Sequence, residues 1–523
     1  MHDYIIVGAG TAGSVLAGRL TASGKDRVAL VEAGPEPRNM MVRVPAGMAK
    51  LFKTDLDWNF ESEPHPGLAG RRVYVPRGKM LGGSSNMNAQ VHQWCHPADF
   101  DGWESLGARG WGWESVAPVF RRMESWLGAE RDDARRGRSG AMVISPLRTP
   151  NPLSVAFVRA ARAAGLDGPA DYNGGPYQGA WLSQLAGKNG RRFSAYDAYL
   201  KPAMRRANLE VKSAAHVTRI LLENGRATGV VLRRDGRDET LRATRGVVVC
   251  AGAYGTPHLL QLSGVGPGEH LHAHGIPVLN DVPAVGADLQ EHPLLPVMFR
   301  ARRPITLLTA ESPLNLLKWL LLGRGMLASN VPEAMAFAST KGDGPPDLEL
   351  CFVPVEWRGQ GLEPPSEHAF GCGVVLLTPR SRGSVRLRSA DPLAAPVVDL
   401  AMLTDPDGAD LDVLLHGVEL MRRIAATEPL AGECAAEMRP GSDARGREAI
   451  LAYCGRELQT IYHPAGTCRM GSDAAAPVTP ELRLRGVDGL WVADASVMPT
   501  VPRGHPNAVV AMIADRAADL LAA

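Results

Sequence analysis

What the chain lacks narrows it first. Its seven cysteines, Cys95, Cys250, Cys351, Cys372, Cys434, Cys454 and Cys468, are scattered, and none forms a Cys-x-x-Cys pair. That spacing argues against zinc and against a disulfide framework, so no metal site is expected. A reducing compartment fits this usage, and the cytoplasm is the expected location. Charge of one sign is missing too: 57 basic against 55 acidic residues leave a net charge of +2, with the arginines mixed among acids. Nothing in that balance argues for nucleic acid. No stretch reaches the roughly 18 apolar residues of a spanning helix. Internal repeats and low-complexity tracts are absent as well.

The nearest approach to a long apolar run is Pro313-Leu-Asn-Leu-Leu-Lys-Trp-Leu-Leu-Leu322. It is too short to span and carries Lys318. It reads either as a helix packed on a core or as a membrane-facing or substrate-mouth helix. Peripheral contact with the cytoplasmic side of a membrane therefore stays open, and oligomeric state is not readable.

At 523 residues the chain exceeds one ordinary core, so two domains are expected. Hydrophobic content of 45% and charged content of 21% describe a soluble globular protein.

What is present begins almost at once. Tyr4 to Val7 is a short apolar run that reads as a buried parallel strand. Gly8 then permits a tight turn, Gly10 lets the backbone approach a pyrophosphate, and Gly13 lets the next helix pack close to the sheet. Ala12, Val15, Leu16 and Leu20 share one face of that helix, whose N-terminal amides would face phosphates. Val28 to Val31 reads as the second strand, ending on Glu32. A carboxylate there accepts from ribose hydroxyls and repels a 2′-phosphate, which disfavours NADP. The unit reads as a dinucleotide grip, and its start at residue 4 leaves no room for a signal peptide.

Further on, Arg131 to Arg138 reads as a charged surface loop. Val217 to Leu232 alternates around Asn224-Gly225, a hairpin signal. Gly246 to Ala251 reads as a buried strand, and Leu348 to Val353 and Gly373 to Leu377 as short strands. The region from about 297 to 457 lacks phosphate-binding signals. Ala508 to Leu521 reads as a final helix returning to the cofactor domain.

Three later segments add to the grip. They are Pro76-Arg-Gly-Lys-Met-Leu-Gly-Gly-Ser-Ser85, then Gly252-Ala-Tyr-Gly-Thr-Pro-His-Leu-Leu-Gln-Leu-Ser-Gly-Val-Gly266, then Tyr462-His-Pro-Ala-Gly-Thr-Cys-Arg-Met-Gly471. The last is followed by Val492-Ala-Asp-Ala-Ser-Val-Met-Pro499 and Gly504-His-Pro-Asn507. Together these resemble the glucose–methanol–choline (GMC) oxidoreductases, most closely the choline-dehydrogenase-like and alcohol dehydrogenase (acceptor) branch.

The resemblance implies an α/β fold: a Rossmann-like FAD-binding domain of the GMC and glutathione-reductase type, interleaved with an α+β substrate domain on an antiparallel sheet. The FAD-binding part would take residues 1–150, 195–296 and 458–523, and the substrate part 151–194 and 297–457. Noncovalent FAD is implied, because some relatives carry a linking histidine where this chain has Asn86, and asparagine cannot form that bond. Cofactor contacts would come from Gly8, Gly10, Thr11, Ala12, Gly13, Glu32 and Ala33. Gly82, Gly83, Ser84, Asn88, Ala89, Val217, Ala251, Gly252, Asp494, Ala495, Pro506 and Asn507 would add to them.

His463 and His505 match the family's two active-site positions. The implied reaction is oxidation of a primary alcohol to an aldehyde. His463 takes the hydroxyl proton as general base, hydride passes to flavin N5, and His505 orients the alcohol oxygen. The His–His pair departs from the nearest-looking branch, which usually has asparagine second, and that leaves the substrate class open. Glu333 matches a glutamate of choline-dehydrogenase-like members, and Phe352 and Trp357 are candidates to line a substrate pocket. Trp94-Cys95 departs from the family pattern beside the flavin. A quinone-like electron acceptor is favoured over O2. Alcohol oxidase and hydroxynitrile lyase are the alternatives on the same fold.

Overall fold

A computed structural model describes residues 1–129 and 135–522. Two large sheets organise it. The first has the strand order Leu209–Lys212, Val28–Val31, His2–Val7, Arg237–Val249, Arg226–Arg234, His216–Glu223. Its core is parallel: Tyr4–Val7 runs beside Val28–Val31 on one side and Gly246–Val249 on the other. These strands are buried on both faces, which is why they read as continuous apolar runs. Leu490–Val492 adds a further parallel partner to Arg237–Val249. Arg237–Val249 serves three partners: its first half pairs antiparallel with Arg226–Arg234, and its second half pairs parallel with the first strand and with Leu490–Val492. The Asn224-Gly225 hairpin is formed, with both residues in the left-handed region.

Helix Thr11–Leu20 follows the first strand and packs against Asn507–Ala522, the last helix. Arg19 pairs with Asp515 and Asp519, and Tyr4 donates to the Leu521 carbonyl. The two ends of the chain thus build one face of the first sheet.

The second sheet has the order Cys434–Arg439, Pro293–Ala301, Ala369–Leu376, Leu348–Val353, Ala334–Ala338, Gly179–Leu182, all antiparallel. Gln459–Thr460 adds to the start of Pro293–Ala301. Helices Pro152–Ala163 and Ala409–Ala425 cover one face, where Leu348, Leu350 and Phe352 join their core. Side chains alternate along a strand, so Glu349, Cys351 and Val353 turn to the opposite face. That opposite face roofs the cavity described below.

The expected charged loop at 131–138 lies partly outside the described residues. In the described part Arg135 and Arg138 are exposed as expected, and Arg136 is the correction: it is 3% exposed and ion-paired to Glu124 and Asp171. Its guanidinium lies over the Trp126 ring at 4.4 Å. A paired and stacked arginine can be buried, and sequence pattern alone does not separate it from a solvated one.

Candidate active site

A cavity of about 700 Å³ runs between the two sheets. One end is walled by Gly8, Gly10, Glu32, Val217, Ala251 and Gly252, the other by His463, His505, Tyr462 and Trp357. Thr11, Ala12, Ala33, Gly83, Ser84, Asn88, Ala89, Asp494, Ala495, Pro506 and Asn507 line the stretch between and around them.

At the first end the wall is backbone. Gly8 has φ +95, and a Cβ there would lie 2.5 Å from the Cys250 carbonyl oxygen. A side chain on Gly10 would meet nothing within 4 Å, so its backbone lies open to the cavity. Gly13 and Gly82 act by packing and not at the wall. A Cβ on Gly13 would sit 1.8 Å from the Gly8 oxygen, and one on Gly82 would lie 2.3 Å from Asn86 Nδ2.

Glu32 accepts from the Ala9 amide at 2.8 Å and the Gly34 amide at 2.9 Å. Burial pushes its carboxyl up to about 7 despite those bonds. Each of its oxygens keeps a lone pair for a further donor. Asp494 accepts from the Gly252 amide, the Ser496 amide and Thr256, tying two helix starts together beneath the cavity. Thr11 Oγ1 donates to Asn507 Oδ1 at 2.7 Å, which joins the first helix to the loop that carries His505.

At the other end the wall is side chain. His463 and His505 stand edge to face with ring centres 5.0 Å apart. Each sits just before a proline on a loop, and neither belongs to a helix or strand. The His463 amide donates to Glu291 Oε1, which also accepts from the His292 amide. Glu291 is buried, and that burial pushes its carboxyl up to about 7. Tyr462, immediately before His463, has φ 70, and Val331 on the facing wall has φ 75. Left-handed backbone at an aromatic and a β-branched residue is strained, and such strain clusters at functional sites.

His292 sets the His463 ring. Its Nε2 lies 3.0 Å from the Leu377 carbonyl oxygen and its Nδ1 lies 3.0 Å from His463 Nδ1. A carbonyl only accepts, so His292 Nε2 carries the hydrogen. Burial holds His292 down to about 3, so the ring is neutral and its Nδ1 accepts. His463 Nδ1–H is then the donor, and its Nε2 is left as a bare lone pair at the cavity wall. Desolvation, with His505, His292 and Arg77 adding to it, keeps His463 well below the ordinary 6.5. His505 is held from the other side: its Nε2 donates to Glu349 Oε1 at 2.9 Å and its amide to Gln93 Oε1 at 3.1 Å. The site is a neutral imidazole base facing a second, carboxylate-anchored imidazole.

A glycine-walled end and a histidine-walled end are thus joined in one slot. Family models described as GMC oxidoreductase match residues 2–294 and 379–514. The chain belongs to the GMC oxidoreductase family. It is 42% identical over 528 residues to an uncharacterised GMC-type oxidoreductase of Mycobacterium tuberculosis, covering 99% of each chain. It is 40% identical over 525 residues to an oxygen-dependent choline dehydrogenase of Sinorhizobium fredii, covering 99% of this chain and 95% of that one. Among solved structures, pyridoxine 4-oxidase from Mesorbium loti superposes with a TM-score of 0.91 at 32% identity, covering 99% of both chains.

In this GMC oxidoreductase three expected site features lie elsewhere. Glu333 turns away from the cavity: it is 1% exposed and accepts from the Asn151 amide and from Ser154 Oγ, at the start of helix Pro152–Ala163. Its carboxylate thus satisfies one donor at the helix start, the Asn151 amide, and one hydroxyl. Phe352 stacks on Phe157 at 4.6 Å on the helix-covered face of the second sheet. Strand parity puts it there, and Cys351 lines the cavity in its stead. Trp94 and Cys95 are 1% exposed and join the core of the first sheet, where Trp94 stacks on Phe120.

Trp357 does line the cavity, with its Nε1 donating to Gln459. Asn88 lines it too, and accepts from buried Arg192. Sequence reasoning missed His292, Glu291 and Glu349. Parity along Leu348–Val353 was the available signal for Glu349. For His292 and Glu291 no local pattern points across to His463.

Proposed function

We propose that this enzyme oxidises a neutral, apolar primary alcohol to its aldehyde, with noncovalently held FAD and a quinone-like electron acceptor. FAD, when bound, supplies the hydride acceptor. The residues present fit it. Gly10 and Gly252 leave open backbone where a side chain would otherwise stand, and Glu32 keeps acceptor capacity for ribose hydroxyls. Asn86 is buried and donates to the Leu81 carbonyl, which leaves that position without a covalent link.

The observation that carries the reading is the chain from the Leu377 carbonyl through His292 to His463. It leaves a lone pair on His463 Nε2, where a hydroxyl proton must go. His505, fixed by Glu349 through its Nε2, bounds the space beside that lone pair and so orients the alcohol there. A base held neutral throughout the physiological range needs no activation step.

Substrate class follows from the wall. Around the histidines it is formed by side chains such as Phe52, Leu294, Met298, Val331, Cys351 and Ile461. The lining carboxylates, Glu32 and Asp494, both belong to the cofactor end. With Glu333 engaged elsewhere, and Glu291 and Glu349 bonded behind His463 and His505, no acid among the described residues lines the substrate end to balance a cation. The similarity to choline dehydrogenase therefore supports the alcohol chemistry and not choline itself.

Anaerobic stopped-flow with aliphatic alcohols, benzylic alcohols and choline tests this. Apolar primary alcohols should bleach the flavin and choline should do so poorly. A soluble quinone should then restore the colour faster than air. Failure of every alcohol to bleach it, with cyanide released from a cyanohydrin, would overturn the oxidation in favour of a lyase.

A further inference from the structure

Exposed large apolar side chains are scattered singly over most of the surface. Helix Pro313–Leu322 is different, for it exposes Leu314, Leu316, Leu317, Leu320, Leu321 and Leu322 together. Only Trp319 of this helix is buried. It packs with Val44 and Ala328, donates from Nε1 to the Gly190 carbonyl, and carries Arg191 over its ring at 5.0 Å. The helix is therefore pinned by one side chain and left bare elsewhere. A patch of this kind marks an interaction surface.

Its charges say what kind. From Ser312 to Asn330 there is no acidic residue, and Glu311 just before it pairs with Lys50. Lys318 and Arg324 are exposed, with no ion pair among the described residues. Leucines flanked by uncompensated cations match a lipid surface, with acyl chains taking the leucines and anionic headgroups taking Lys318 and Arg324. Protein interfaces, by contrast, are depleted in lysine. At about 15 Å long the helix is too short to cross a bilayer, so it would lie in the headgroup plane. No helix among the described residues is long and apolar enough to span.

The patch also adjoins the cavity. The turn Met326–Ala328 packs on this helix and leads straight into Val331 and Pro332, which line the substrate end. We propose that helix Pro313–Leu322 docks the enzyme on an anionic bilayer, with the substrate wall of the cavity next to the membrane.

Flotation of the FAD-loaded enzyme with vesicles tests it. The enzyme should rise with mixed phosphatidylglycerol–phosphatidylcholine vesicles and much less with phosphatidylcholine alone. The pair Leu317→Gln/Leu321→Gln should weaken binding about tenfold or more, and Lys318→Ala or Arg324→Ala about fivefold each. Flavin absorbance and melting temperature should be unchanged, since these side chains are bare. If the leucine pair fails to fold, the two charge variants and the lipid comparison still decide. Absence of flotation with the mixed vesicles would overturn the docking. So would leucine variants that float as well as the parent, or a dimer broken by the same substitutions in an enzyme that binds no lipid. Lipid binding needs no turnover, so its failure leaves the alcohol chemistry untouched.

Discussion

At the cofactor end of the cavity the work is done by main chain: glycines at a turn, amides at a helix start, one carboxylate at a strand end. At the substrate end it is done by side chains from distant parts of the chain, meeting across two sheets. The first kind of site is built largely on one stretch, Gly8 to Glu32, and tolerates almost no alternative residue there. The second is a matter of which way each strand and loop points. Substitutions should therefore fail differently at the two ends, the first by losing the flavin and the second by keeping it.

The largest effect is expected at the cofactor end. Gly8→Ala adds a Cβ against the Cys250 carbonyl at a left-handed φ. The protein should come off the column colourless and inactive, and a yellow, active variant would break the contrast. Next comes His463→Ala, which should keep full flavin absorbance while kcat falls about 10²–10⁴-fold. Flavin loss in this variant would erase the difference between the ends.

His292→Ala sharpens the contrast one step further out. It touches neither end of the cavity wall, yet it removes the acceptor that orients the His463 ring. A loss of about 10–100-fold in kcat with little change in KM is expected, in line with outer-shell partners elsewhere. The parent's acid limb in kcat/KM should lie below pH 6.5, because His463 protonates only under more acid conditions than a free histidine. Replacing His292 by alanine opens the His463 ring to water and relieves the burial that chiefly depresses it, so the limb should move up. An unmoved limb would mean that His292 is only packing.

The smallest effect belongs to Glu333→Ala. It strips the partner from the Asn151 amide and Ser154 Oγ. A stability loss of about 1–3 kcal/mol, read from denaturant melts, should accompany an unchanged KM for choline. A raised choline KM would put Glu333 back among the substrate contacts.

The same contrast explains what could be read from the sequence. Gly8, Gly10, Gly13 and Glu32 announce the first sheet because each position has one steric reason, visible in order along the chain. The hairpin at Asn224-Gly225 and the strand Leu348–Val353 are equally local. Glu333 and Phe352 misled because residue type says nothing about facing. Phe352 sits one position from Cys351, and a single step along a strand exchanges core for cavity. Arg136 misled in the same way, since a buried arginine network has no signature until its carboxylates are brought together. His292 is far from His463 in sequence, and only the pairing of Pro293–Ala301 with Gln459–Thr460 brings them side by side.

The pairing of the first helix with the last has a consequence in time. Helix Thr11–Leu20 is buried on nearly every side, and much of its cover is Asn507–Ala522. Leu490–Val492 is a strand of the same sheet. The grip therefore leaves the ribosome well before the strand and helix that finish it. At about 5–20 residues per second, it waits tens of seconds or more for its closing helix. Nascent chains stalled before residue 490 should be unable to retain flavin, however complete their first strands. Cofactor capture in this fold reports that the chain has been made through helix Asn507–Ala522.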